Sequence, residues 1–215
     1  MNLWQKPLFE FVDLVDSNSP APGGGSCAAL MSTLGLALAR MVGHLSINKK
    51  LFLKHDKKVQ KEFNETLTTL LELKEKIIPL IDEDTASFNA IMAAFRLANK
   101  TQEEKLLRSQ EIKNATLQAI KIPYQVAKLS LEALLALTPI LTYGNKQTMS
   151  DLGVGILALC SGIEGAVYNV LINLIGFREA ETVTQYQKEV KQMLEVTKQT
   201  KTKLLGQIYR NLEFA

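Results

Sequence analysis

The sequence predicts an all-α fold: a single-domain helical bundle over residues 1–215, with two buried apolar helices and dimerisation through helices. Three observations carry that expectation. Strict apolar–polar alternation is scarce, and no Asn-Gly or Asp-Gly hairpin joins β-branched runs. Apolar residues recur at helical spacing, as in Val59, Phe63, Leu67, Leu70, Leu71, Leu73, Ile77 and Ile78, with lysines and glutamates on the other face. Two long stretches, 25–46 and 151–175, hold few polar groups and many small residues, which suits helices packed closely on all sides.

Taken in order, Leu8 to Val15 predicts a short amphipathic helix. Ser19-Pro20-Ala21-Pro22-Gly23-Gly24-Gly25-Ser26 follows. Its prolines favour an extended approach, its glycines admit positive φ and leave no Cβ to block a ligand, and Ser26 is a good N-cap residue. The first turn of the 25–46 helix then presents unpaired N–H groups and the positive dipole end, the parts of an anion site; a plain turn before a core helix is the simpler reading. No Gly-Lys-Ser/Thr follows and no strand precedes, so neither a Walker loop nor a dinucleotide fingerprint is present.

A helix from about 50 to 80 comes next, kinked rather than ended by Pro79, since helical period resumes from Asp84 to Leu97. Thr101-Gln102-Glu103-Glu104 is a capping box that opens a helix of about twenty residues. Pro123 predicts a break or a first-turn position before a further helix, Tyr124 to Leu137. Residues 138–148 contain Pro139, Gly144 and Asn145 and predict a loop. Ser150 caps the apolar helix to about Ile175, and Gly176 ends it. Glu179 to Leu212 is a final amphipathic helix.

Composition bounds the function. Hydrophobic content of 47% and charged content of 22% are those of a globular domain. A net charge of +3 without an arginine-rich run gives no reason to expect nucleic acid. Cys27 and Cys160 both lie in apolar runs, and with only His44 and His55 beside them no metal site is expected. Buried thiols and the absence of a signal-peptide core in Met1 to Lys6 point to the cytoplasm. Leu152 to Phe177 is long enough to span a bilayer, but Glu164 near its middle and Asn169 and Asn173 at helical spacing fit a buried helix better, so no membrane is expected.

Candidate site residues interrupt apolar surroundings. Asp84 lies at a helix break, and Asp151 precedes the apolar helix; either is also an ordinary first-turn acid. Glu164 and Asn173 need polar partners inside an apolar helix. Cys27 stands at a helix N-terminus, which lowers a thiol pKa, but no partner histidine can be assigned to it, and His44 is more often a satisfied core residue.

Together, the Ser19–Ser26 turn, the small-residue helix to Asn48-Lys49-Lys50, Asp82-Glu83-Asp84-Thr85-Ala86-Ser87-Phe88, Arg96-Leu97, Gly144-Asn145, Ser150-Asp151 and Tyr168-Asn169-Val170-Leu171-Ile172-Asn173-Leu174 resemble the formiminotransferase-cyclodeaminase C-terminal family. That family includes formimidoyltetrahydrofolate cyclodeaminases and stand-alone methenyltetrahydrofolate cyclohydrolases. The resemblance implies the stand-alone form, a tetrahydrofolate derivative as substrate with no prosthetic group, and a homodimer. Carried onto the matching positions, it implies Asp84 and Asp151 as catalytic residues, Asp84 as the second acid of an Asp-x-Asp motif. It implies Gly23, Gly24, Gly25, Ser26, Lys49, Lys50, Arg96, Asn145 and Asn173 as substrate contacts. The glycine turn, Lys49, Lys50 and Arg96 are the expected receivers of the substrate's glutamate tail, of one residue or several. A non-catalytic helical ligand-binding dimer is the alternative, and a small membrane protein the third reading.

Overall fold

Two helices in near backbone contact form the spine of the molecule. In the computed structural model, which describes residues 2–213, these are α2 (Gly24–His44) and α7 (Met149–Leu174). They run antiparallel: Ala28 meets Gly165, Ser32 meets Gly162, and Gly35 meets Gly155. A Cβ on Gly35 would stand 2.7 Å from the Gly155 carbonyl oxygen, and one on Gly162 would overlap Ser32. The small residues therefore set the helix separation, and dispersion along the seam follows from it. The larger side chains of α7, among them Leu152, Ile156, Leu159, Ile163 and Val167, point into the core and are fully buried.

The other helices are α1 (Leu8–Val15), α3 (Lys57–Ile77), α4 (Leu80–Phe95), α5 (Gln102–Leu135), α6 (Thr138–Tyr143) and α8 (Ala180–Glu213), with no strand among the described residues. α5 and α8 pack on α7, α3 packs on α2, and α4 bridges α2 and α5. The spine leaves large apolar side chains exposed: Leu34 and Met41 on α2, Val154, Leu157, Tyr168 and Ile172 on α7, and the C-cap residues Leu45 and Ile175. Stretches of α2, α5–α6 and α7 are long and apolar enough to cross a bilayer by length and composition, and about half of each is buried inside the fold.

Several expected boundaries are corrected. The helix after the glycine turn starts at Gly24 with Gly23 as its N-cap, so Ser26 is a buried first-turn residue. The only positive φ among the described residues is at Gly176, past the end of α7 as expected. None of Gly23, Gly24 and Gly25 has a left-handed backbone; Gly25, and more weakly Gly24, serve close approach, while a Cβ on Gly23 would make only an ordinary contact with the Pro20 carbonyl. The expected 50–80 helix is a 3-10 turn, Phe52–Lys54, followed by α3, with α4 entered through Ile78 and Pro79, both in right-handed helical geometry. The Thr101 capping box forms, with the Glu104 N–H donating to Thr101 Oγ1 and the Thr101 N–H to Glu104 Oε2. The helix it opens does not stop at Pro123 but runs 34 residues through it. The expected 138–148 loop is α6 and a 3-10 turn, because Pro139 suits a first helical turn. Thr148, not Ser150, is the N-cap of α7, and it makes no side-chain cap bond.

Candidate active site

Asp84 sits one turn inside α4 and faces the first turn of α2. Gly25 makes that contact possible: a Cβ there would overlap the Asp84 carboxylate. Ser26 completes the seat. Its Oγ lies 2.7 Å from the Ile81 carbonyl, 3.2 Å from Asp84 Oδ2 and 3.1 Å from Thr85 Oγ1. The helix start predicted to receive an anion thus holds a carboxylate of the chain itself. Burial pushes the Asp84 carboxyl above the usual aspartate range, and the Ser26 hydroxyl and backbone N–H draw it part of the way back.

A pocket of about 270 Å³ opens beside this carboxylate. Pro20, Gly23, Gly24 and Gly25 form one wall, Asp84, Phe88 and Ile91 another, and Ala119, Asn169, Ile172 and Asn173 the third. A Cβ on Gly24 would stand 3.3 Å from Asn169 Nδ2, close enough that the amide would have to shift slightly. Asn169 Nδ2 donates to the Gly165 carbonyl at 2.8 Å. Asn173 Nδ2 donates to the Asn169 and Ala119 carbonyls, both at 2.9 Å. With the amide nitrogens so committed, the two Oδ1 atoms have no donor among the described residues and are the acceptors these side chains offer a ligand.

Pro123 explains why the Ala119 carbonyl is free. A proline inside a helix has no N–H for the carbonyl four residues back, and that carbonyl belongs to Ala119. Asn173, reaching over from α7, supplies the missing donor.

The structure brings Gly23, Gly24, Gly25, Ser26, Asp84 and Asn173 together, and adds Asn169, for which the four-residue spacing to Asn173 was the available signal. The remaining expected residues lie elsewhere. Lys49, Lys50 and Asn145 line a separate cavity of about 580 Å³ at the far end of α2, with His55, Tyr143 and Lys146. At about 1.5 Å per residue the 21 residues of α2 set the two ends about 30 Å apart. Asp151 occupies the first turn of α7, 22 residues before Asn173 and hence about 33 Å from it along the helix. Arg96 is an exposed C-cap of α4 outside the pocket. Cys27 corrects the expectation of a lowered thiol: burial and then the charge of Asp84 both push it up. Burial takes Cys160 to about 11. His44 is exposed and pairs with Arg40, their Nε2 and Nη2 atoms 3.2 Å apart. Glu164 is half-buried without a hydrogen-bond partner among the described residues. Asp82, two residues from Asp84, points the other way, where Oδ1 accepts the Leu3 N–H at 2.6 Å and ties the N-terminal turn to α4.

Comparison with known proteins bears on this site. Residues 7–192 match the family model described as formiminotransferase-cyclodeaminase. A methenyltetrahydrofolate cyclohydrolase of Methylorubrum extorquens is 30% identical, the match covering 86% of each chain. A formimidoyltransferase-cyclodeaminase of Dictyostelium discoideum is 36% identical over 91% of this chain. The match takes in only 35% of that protein, so the present chain corresponds to about a third of it. A crystal structure of formiminotetrahydrofolate cyclodeaminase from Thermotoga maritima superposes with a TM-score of 0.77 over 97% of this chain and 96% of that one; at 23% identity it shows a shared fold.

The Pro123–Asn173 pairing has a measurable consequence. Asn173→Ala leaves the buried Ala119 carbonyl unpaired and is expected to destabilise by about 1–3 kcal/mol. In Pro123→Ala the new N–H pairs that carbonyl within α5, so Asn173→Ala is expected to cost less in the Pro123→Ala background. Denaturant unfolding of both single variants and the double variant measures the coupling; purely additive losses contradict the pairing.

Proposed function

The chain belongs to the formiminotransferase-cyclodeaminase family, and from that membership we propose that it cyclises 5-formimidoyltetrahydrofolate to 5,10-methenyltetrahydrofolate with release of ammonia. The observation that carries the reading is the half-buried Asp84 carboxyl, raised in pKa, at the wall of a pocket that otherwise offers acceptors. A reduced pterin presents a donor-rich edge, with its 2-amino group, N3–H and N8–H, and Asn169 Oδ1 and Asn173 Oδ1 complement it. The pocket holds a bicyclic ring rather than a whole folate, since sites that bury drug-sized ligands run to roughly 300–1,000 Å³.

The chemistry asks for one proton to be moved. N10 attacks the formimidoyl carbon of the protonated substrate and becomes an ammonium. Asp84 takes the N10 proton and delivers it to the amine on the tetrahedral carbon. Ammonia then leaves with its bonding electrons, and the cationic methenyl bridge remains beside a carboxylate again ionised. A carboxyl with a raised pKa suits both halves of that transfer. A second reading is favoured by the cyclohydrolase relative that matches over most of both chains. There water attacks the methenyl carbon, Asp84 takes one of its protons and passes it to N5, and the C–N5 bond breaks as the remaining hydroxyl becomes the formyl carbonyl and releases its proton to solvent, giving 10-formyltetrahydrofolate.

Purified protein incubated separately with 5-formimidoyl- and 5,10-methenyltetrahydrofolate, with ammonia and methenyl absorbance followed together, separates the two readings. Asp84→Asn is expected to lower turnover by about 10²–10⁴ with folate binding retained, and Asp82→Asn to be much milder. The stability effect has the opposite sign. A carboxyl whose folded pKa is raised contributes stability below its unfolded pKa and loses that contribution as pH rises through the folded value. Asp84→Asn is therefore expected to melt no lower than the parent at neutral pH, with any gain vanishing below the ordinary aspartate range. Retention of more than about a tenth of turnover removes Asp84 from the chemistry.

The exposed apolar side chains of α2 and α7, among them Leu34, Met41, Val154 and Leu157, belong in this proposal to a homodimer interface. Light scattering is expected to give twice the 23.9 kDa chain mass or a multiple of it. A fully active monomer at micromolar concentration contradicts the dimer.

A further inference from the structure

The far end of α2 opens on a second cavity, of about 580 Å³, that the Asp84 chemistry does not use. Its charge sets it apart. Residues 49–58 hold Lys49, Lys50, Lys54, Lys57 and Lys58 against one acid, Asp56, a net charge of +4. Lys146, from the segment after α6, adds a sixth lysine. The whole chain carries only +3, so the rest of it sums to a negative charge. Lys49, Lys50 and Lys146 line the cavity, and no carboxylate does. None of the six lysines makes an ion pair among the described residues.

The walls that carry these lysines are fixed. Phe52, in the 3-10 turn after α2, is buried and packs on Phe63 of α3 with ring centroids 4.6 Å apart. Gln60 Nε2 donates to the His55 carbonyl at 2.7 Å and holds the end of that turn. The His55 ring meets Phe52 and Tyr143 edge-on, with centroids 5.9 and 5.2 Å away. The buried Ser46 Oγ accepts the Asn145 N–H at 2.7 Å and donates to the Val42 carbonyl at 2.6 Å, which ties the chain after α6 to the end of α2. Asn145 Oδ1 accepts the Gln147 N–H at 3.2 Å, leaving its Nδ2 group for a ligand oxygen.

We propose that this cavity binds a phosphate monoester carried on an aromatic ring, of the size of a nucleoside monophosphate. The volume lies in the range of roughly 300–1,000 Å³ that small-molecule sites occupy. His55 and Tyr143 supply an aromatic wall for a flat ring. The cations are all lysines. Arginine's planar fork pairs best with a carboxylate, whereas several lysines around one cavity act as point charges and match the three oxygens and charge of roughly −1.5 to −2 that a phosphate carries at pH 7. That chemistry separates this ligand from a folate, whose charged groups are carboxylates, in a pocket about 30 Å away at the other end of α2. The site stands independently of the folate reading of the Asp84 pocket.

Calorimetry on the full chain, with adenosine 5′-monophosphate, adenosine and inorganic phosphate as separate probes, tests the assignment. The monophosphate is expected to bind at one site per chain, at least about tenfold more tightly than either of the other probes, and more weakly at high salt. The triple variant Lys49→Gln/Lys50→Gln/Lys146→Gln changes only exposed side chains. It is expected to lose about tenfold in that affinity with an unchanged melting temperature. Tyr143→Leu is expected to weaken the monophosphate about threefold and inorganic phosphate not at all. Lys105→Gln/Arg178→Gln removes two exposed cations elsewhere on the surface and is expected to change nothing. Saturating tetrahydrofolate is expected to leave the monophosphate bound. Absence of saturable monophosphate binding up to about millimolar concentration overturns the site. So does an equal affinity for inorganic phosphate, the same loss in both sets of cation variants, or displacement by tetrahydrofolate.

Discussion

Asp84 is half-buried against the first turn of α2, and most of the surrounding architecture answers to that contact. Burial disfavours its charge, while the hydroxyl and N–H of Ser26 and the positive end of a 21-residue helix favour it. The balance leaves the carboxyl raised, which suits a group that must both take and give a proton. The contact requires Gly25 to have no side chain. It also requires the start of α2 to stay in place, and the backbone-close seam with α7 fixes it there. The same α7 carries Asn169 and Asn173 to the opposite wall, so one helix pair positions both the acid and the amides that face it.

Strain accepted in one element is used in another. A proline in the middle of α5 forfeits a backbone hydrogen bond, and the carbonyl so released becomes the anchor of Asn173. The side chain that satisfies it is thereby held with its amide oxygen free for a ligand. A helix without Pro123 would leave Asn173 with one partner fewer and a less defined orientation.

Much of this was legible in the sequence, where local chemistry decides. The capping box at Thr101, the short helix over Leu8–Val15 and the Gly176 terminus follow from local signals, and the structure has each. The gathering of the glycine turn, Asp84 and Asn173 was legible through family resemblance rather than through spacing. Tertiary contacts decided the rest. Pro123 reads as a break until a side chain from another helix satisfies the carbonyl it frees. Ser26 reads as a cap until its hydroxyl is seen turned toward α4. Lys49, Lys50 and Asn145 read as neighbours of the turn because the intervening helix, about 30 Å long, is not visible as a distance in a linear sequence. The lysine-lined cavity has a sequence trace, the basic run from Lys49 to Lys58, but only the chain after α6, brought beside it, makes it a site.

The central claim is that Asp84 holds a raised pKa because Gly25 lets it sit, half-buried, at the start of α2. Carboxyl-carbon NMR titration of the protein selectively labelled at aspartate, with Asp84 assigned through Asp84→Asn, measures this directly. The account predicts a midpoint above the ordinary aspartate range in the parent and a return toward that range in Gly25→Ala, where the added methyl displaces the carboxylate toward solvent. A parent midpoint at or below the ordinary value, or one that does not move in Gly25→Ala, contradicts it.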